Sequence, residues 1–136
     1  MAGLVLKLGP RERVLVNGAV IENGDRRSRL SILSPRANIL RLKDAIAPDE
    51  VVTPVRRVCY VAQLVLSGDV EEDAARGQLL QGIDQLAAAM IDADSREKLA
   101  TAREAVQVGD IYRALKSLRA LLPRERMLLD GAGQVG

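Results

Sequence analysis

The run Asn17-Gly18-Ala19-Val20-Ile21-Glu22-Asn23-Gly24 limits the fold more than any other stretch of this 136-residue chain. Asparagine and glycine accept the positive φ angles of a type I′ turn, so each Asn-Gly pair is expected to fold its flanking strands together. One short apolar strand, 19–22, would then lie between two reversals. Upstream, Leu4, Leu6 and Leu8 alternate onto one face, and residues 13–16 resume the pattern after Gly9-Pro10. Downstream, residues 27–33 and 37–42 read as two further strands, divided by Ser34-Pro35. Five short strands within residues 4–42 imply a small antiparallel sheet or a partly closed barrel.

The remainder reads as helix, which makes the fold class α+β: a β lobe over 1–46, a helical lobe over 47–130 and a disordered tail over 131–136. Ala47-Pro48-Asp49-Glu50 is the expected hinge. Thr53-Pro54 is a helix start, with threonine as N-cap and proline at the first helical position. The helix that follows, 54–67, is apolar on nearly every side, and Gln63 is the only polar residue between Arg57 and Ser67. Such a helix is buried in a core or in an interface, so Val58, Tyr60, Val61, Leu64 and Val65 are candidate contacts for a protein partner or a second copy. Asp69 with Glu72, and Asp94 with Glu97, have capping-box spacing for a second and a third helix. Asp110 caps a fourth, with Ile111, Ala114, Leu115 and Leu118 on one stripe. Pro123 ends or redirects that helix. Gly77 and Gly82 interrupt the second helix, where they allow close helix contact or a bend.

Apolar residues make up 48% of the chain, yet it has no Phe or Trp and only Tyr60 and Tyr112. The core must be aliphatic, and a row of rings to stack single-stranded bases is absent. Without histidine, the usual general base and metal ligand are missing. The lone Cys59 forms no internal disulfide, and its apolar neighbours mark a buried hydrophobe rather than a reactive thiol. Ser28 and Ser34 have no histidine to activate them, phosphate-loop motifs are absent, and Glu71-Glu72-Asp73 suits a helix start better than a metal. No enzyme, metal, cofactor or small-molecule substrate is expected. Met1-Ala2-Gly3 leads straight into a strand pattern and no run approaches ~18 apolar residues, so neither signal peptide nor membrane span is expected, and the reading is cytoplasmic.

Charge is unevenly placed. Residues 1–60 hold 11 Lys and Arg against 6 Asp and Glu, whereas residues 61–136 hold 9 against 12. A basic front half calls for an anionic partner. Arg26, Arg27 and Arg29, continued by Arg36, Arg41 and Lys43 with Lys7 from the first strand, are the candidate RNA-phosphate contacts. The competing reading is that they solubilise strand edges and block edge-to-edge pairing. Arg56-Arg57 at the helix start either bridges back to Asp49 or Glu50 or extends the basic surface.

Residues 4–8, 17–27, 39–44 and 53–66 closely resemble the FlbT family, Asn-Gly-Ala-Val-Ile-Glu-Asn-Gly-Asp-Arg being the longest shared motif. The resemblance implies a cytoplasmic post-transcriptional regulator of flagellin in bacteria. Such a protein binds the 5′ leader of flagellin mRNA and usually represses translation or promotes decay, often working opposite a small companion, FlaF. A looser likeness links Leu4-Val5-Leu6, Glu12 and residues 34–46 to the β-domain of the CsrA family. There Lys43 or Arg41, with Lys7, would stand near the basic residues that grip RNA, although Leu8 and Gly9 replace that family's consecutive arginines. The alternative functional class is a protein-interaction adaptor that binds flagellin, FlaF or another assembly factor through the apolar helix and the sheet.

Overall fold

A computed structural model of the protein describes residues 4–34 and 37–135, with side chains to Gly131. Five strands come first: β1 (Leu4–Leu8), β2 (Arg13–Val16), β3 (Ala19–Glu22), β4 (Ser28–Ile32) and β5 (Ile39–Arg41). They form two antiparallel sheets rather than a closed barrel, β1 with β4 and β3-β2-β5. Leu6, Leu8, Val14 and Ile39 are buried between the sheets, joined by half-buried Leu30 and Ile32. Alternation does what the pattern promised in β1 and β4, whose Leu6, Leu8, Leu30 and Ile32 face inward, whereas β3 is exposed along its whole length.

The first Asn-Gly pair makes the expected turn. Asn17 and Gly18 have φ of 50° and 84°, and Val16 pairs directly with Ala19. The second pair does not. Among the described residues Gly24 lacks a positive φ, and β3 and β4 belong to different sheets. The reason is the Asn23 side chain. Its amide nitrogen donates to the Gly9 carbonyl at 2.7 Å and the Arg26 carbonyl at 2.9 Å, while its Oδ1 accepts from the Ser28 hydroxyl at 2.7 Å. Asn23 is a clamp across the seam between the sheets, not a hairpin corner. Strain moves instead to Arg11 (φ 60°), whose amide donates to the Gly24 carbonyl at 2.9 Å.

The helices are α1 (Pro54–Ser67), α2 (Glu72–Ala89), α3 (Ala93–Gln107), α4 (Ile111–Arg119) and α5 (Leu122–Val135). Thr53 caps α1 as expected, its Oγ accepting from the Arg56 amide at 3.3 Å. Glu125 of α5 completes the cap: one oxygen accepts from the Thr53 hydroxyl at 2.5 Å, the other from the Val55 amide at 2.8 Å. A carboxylate there also complements the positive end of the helix dipole.

Two caps differ from expectation. Asp69 accepts from the Ser67 hydroxyl at 2.6 Å within the turn that closes α1, and α2 begins later, at Glu72, without a side-chain cap. Asp92 rather than Asp94 caps α3, accepting from the Ser95 amide at 3.0 Å; Asp94 pairs with Lys98. Asp110 caps α4 at 3.1 Å. The backbone of α5 continues through Val135, so the tail read as disordered is helical to that point, each added residue extending an existing turn at the low cost of propagation.

Gly82 lets α1 and α2 touch, because a Cβ there would stand 2.7 Å from Val58 Cγ2, whereas nothing lies within 4 Å of one built at Gly77. Gln63, the polar exception on α1, ties the lobes together. Its Oε1 accepts from the Ile46 amide at 2.7 Å and its Nε2 donates to the Ile46 carbonyl at 3.0 Å. Arg119 adds a second tie, donating to the Asp44 carbonyl at 2.9 Å. Tyr112 packs against both cores.

Candidate nucleic-acid interface

On β1 and β4 the residues that alternate outward are Val5 and Lys7, and Ser31 and Arg29. The register sets Lys7 directly opposite Arg29. Like charges opposite one another on one sheet face destabilise it, so this pair is a strained arrangement in the absence of an anion. Arg27 and Lys43 join them around a cleft of about 440 Å³ that also takes in Ser28 and Glu12. None of Lys7, Arg27, Arg29 and Lys43 has a carboxylate oxygen within 4.0 Å among the described residues. By contrast, Arg11 and Arg13 are neutralised by Asp25 and Glu22 at 2.5 and 2.9 Å.

The one carboxylate lining the cleft among the described residues, Glu12, is already held. Arg41 grips Glu12 with two bonds, Nε to Oε2 at 2.6 Å and Nη2 to Oε1 at 2.8 Å, and Nη2 also donates to the Lys7 carbonyl at 2.6 Å. Side-chain exposure is only 17% for Arg41 and 10% for Glu12. The Arg41 guanidinium, with the Gly9 amide at 3.0 Å, outweighs burial and holds the Glu12 carboxyl down at about 2. Arg41 therefore braces the cleft from behind: it joins the two sheets where no ladder does, and its charge is met internally.

The nominated basic residues thus separate. Lys7, Arg27, Arg29 and Lys43 converge; Arg41 turns inward; Arg26 is exposed on the approaching loop but does not line the cleft. Arg36 lies outside the described residues. Glu12 as the counter-charge that orients Arg41 was missed as a site residue, although its place just before β2 was legible. The Arg56 guanidinium reaches the Glu50 carbonyl at 3.3 Å. Of the nominated partner contacts, Val58 and Val65 belong to the helical core at 8% and 2% exposure, and Tyr60, Val61 and Leu64 are half-buried.

Other chemistry is sparse. Among the described residues no cluster of carboxylate or thiol ligands could hold a metal. Burial raises the Cys59 thiol to about 12, leaving it protonated at neutral pH. Among the described residues no helix is long and apolar enough to cross a membrane. A second concavity of about 310 Å³ lies between the lobes, with Arg41, Asp44, Tyr112, Lys116 and Arg119 on its walls.

The family model "Flagellar protein FlbT" matches residues 4–129, nearly the whole chain. The chain belongs to the FlbT family. Among its relatives is the flagellum biosynthesis repressor protein FlbT of Caulobacter vibrioides (strain ATCC 19089 / CIP 103742 / CB 15), 34% identical over 90% of this chain and 86% of the relative. Probable repressors of the same name from Mesorhizobium japonicum and Brucella ovis are 31% and 32% identical, covering 97% and 91% of this chain and 88% and 80% of their own. No solved structure matches. The cleft residues Lys7, Arg27, Arg29 and Lys43 all fall within the span matched to the FlbT family.

Proposed function

We propose that this FlbT-family protein regulates flagellin synthesis after transcription. In this reading its β lobe binds phosphates of the flagellin mRNA 5′ leader, and the bound protein lowers translation or message lifetime. The relatives named as flagellum biosynthesis repressors support the process. The observation that carries the binding mode is the Lys7–Arg29 pair set face to face beside Arg27 and Lys43, with no carboxylate among the described residues within 4.0 Å to neutralise it. A phosphate between the two strands relieves their repulsion and accepts charge-assisted hydrogen bonds from both. Phosphate contacts supply affinity; base contacts must supply specificity.

Titrating salt against binding of the leader RNA tests this. If all four cations meet phosphates, log K should fall against log[salt] with a slope of about −3 for single-stranded RNA. Changing Arg26, Arg27 and Arg29 to alanine should flatten that slope. Unchanged affinity in the triple variant would move the RNA site elsewhere.

The second reading, an adaptor for flagellin or FlaF, is favoured by Met127, Leu128 and Leu129, which stand exposed in succession on α5. An aliphatic interface responds little to salt, so the same titration separates the two.

A further inference from the structure

The groove between the lobes has the chemistry of a base-recognition site, and nothing in the phosphate reading uses it. Its position is the first observation. Lys43 lines the cationic cleft, whereas Asp44, the next residue in the 3-10 turn Leu42–Asp44, lines the groove. The two concavities lie on either side of that turn, whose approach is stiffened by the Arg41–Glu12 pair. A strand held by its phosphates in the first can drop a base into the second.

The lining is the second observation. Leu40 and Leu115 contribute an apolar floor, and the half-buried ring of Tyr112 stands beside them. Arg119 holds Asp44 in place, donating to its carbonyl and standing 3.5 Å from Oδ1. The other carboxylate oxygen of Asp44 has no hydrogen-bond partner among the described residues. Lys116 is exposed and has no carboxylate within 4.0 Å among the described residues. A slot of about 310 Å³ with an apolar floor, one ring, one carboxylate and, beside the paired Arg41 and Arg119, the cation Lys116 is too small for a stack of bases but fits a single one.

We infer that this groove takes one unpaired guanine of the RNA whose phosphates the β lobe holds. A fixed carboxylate selects for N–H donors, and guanine is the base that carries two on one edge beside a carbonyl. The Asp44 carboxylate accepts from those N–H groups, and Lys116 donates to the base's O6 or N7. Adenine, cytosine and uracil each present fewer donors to a carboxylate on a single edge. Tyr112 covers one face of the base, and its phenol, raised by burial, stays protonated and uncharged at neutral pH. The inference rests on the RNA-binding reading, and it supplies the base contact that phosphate binding lacks.

The test uses the full chain and oligoadenylates of one length that carry a single central guanine, cytosine, uracil or inosine, with binding followed by fluorescence anisotropy. The guanine oligomer should bind about tenfold tighter than the cytosine and uracil ones, the scale of one good base contact. Inosine, which lacks the 2-amino group, should lose much of that advantage. Asp44→Asn and Lys116→Ala should each erase most of the preference and leave the binding of plain oligoadenylate in place. Lys116 is exposed, so its variant reports even if Asp44→Asn loosens the contact between the lobes. Arg29→Ala should weaken every oligomer alike and keep the guanine ratio. Equal affinity of the wild type for all four, or a ratio kept by both groove variants, overturns the groove site alone. No measurable binding of any oligomer at low salt overturns the RNA reading with it.

Discussion

Replacing Arg29 by threonine should stabilise the free protein and weaken the proposed binding to RNA. Lys7 and Arg29 are register partners on the outward face of β1 and β4. Directly opposed residues have Cβ atoms about 5 Å apart. With long side chains splayed to roughly 6 Å in water, two unit charges repel by about 0.7 kcal/mol. That lies within the 0.2–1 kcal/mol range for cross-strand pairs. Threonine suits a strand, so about 0.5 kcal/mol of relief should survive as stability, worth roughly 2 °C in melting temperature for a domain of this size. The gain should be present near 10 mM salt, where the Debye length is about 30 Å, and vanish near 1 M, where it is about 3 Å. In the proposed binding mode the same change removes one phosphate contact, so the salt slope of RNA binding should flatten by about 0.7. Thermal melts at the two salt concentrations and an anisotropy titration measure both effects. Solubilising surface charges would not couple them in opposite directions. A variant that melts lower at low salt, or that keeps the full slope, refutes the account of the pair as an anion site.

Two other perturbations probe the support beneath the site. Glu12→Gln should cost about 2 kcal/mol at neutral pH, because it leaves the little-exposed Arg41 without its counter-charge. Glu12 is depressed from 4.5 to about 2 in the fold, so its contribution is complete above about pH 4.5 and is lost as pH falls through 2. Urea midpoints of wild type and variant should therefore converge over that window, and a constant gap would contradict the assignment. On α2, Gly77→Ala should stabilise by about 0.5–1 kcal/mol, since nothing lies within 4 Å of the new methyl group. Gly82→Ala should destabilise by about 1–2 kcal/mol, since its methyl would meet the stiff Val58 side chain at 2.7 Å. Chemical denaturation of the two variants should give opposite signs, and equal signs would discount the close contact between α1 and α2.

What was legible in the sequence was decided by neighbours in the chain. The Asn17-Gly18 turn, the Thr53-Pro54 start of α1, the Asp110 cap and the stripe of α4 each depend on residues within a few positions. So does the alternation that sends Leu6 and Leu8 inward and Lys7 outward. Tertiary structure decided the rest, and in each case a side chain answered to a distant group. Asn23-Gly24 has the composition of the first turn, but Asn23 bonds the Gly9 carbonyl, 14 residues back, and the hairpin does not form. Arg41 and Arg29 are alike as letters on strands that follow one another in the chain but belong to different sheets. One is drawn under the sheet by Glu12, 29 residues away, while the other is set against Lys7 by strand register. Periodicity determines which face a residue takes, but the burial of its charge depends on what the opposite strand brings to within 3 Å, and that distance exists only in the folded chain.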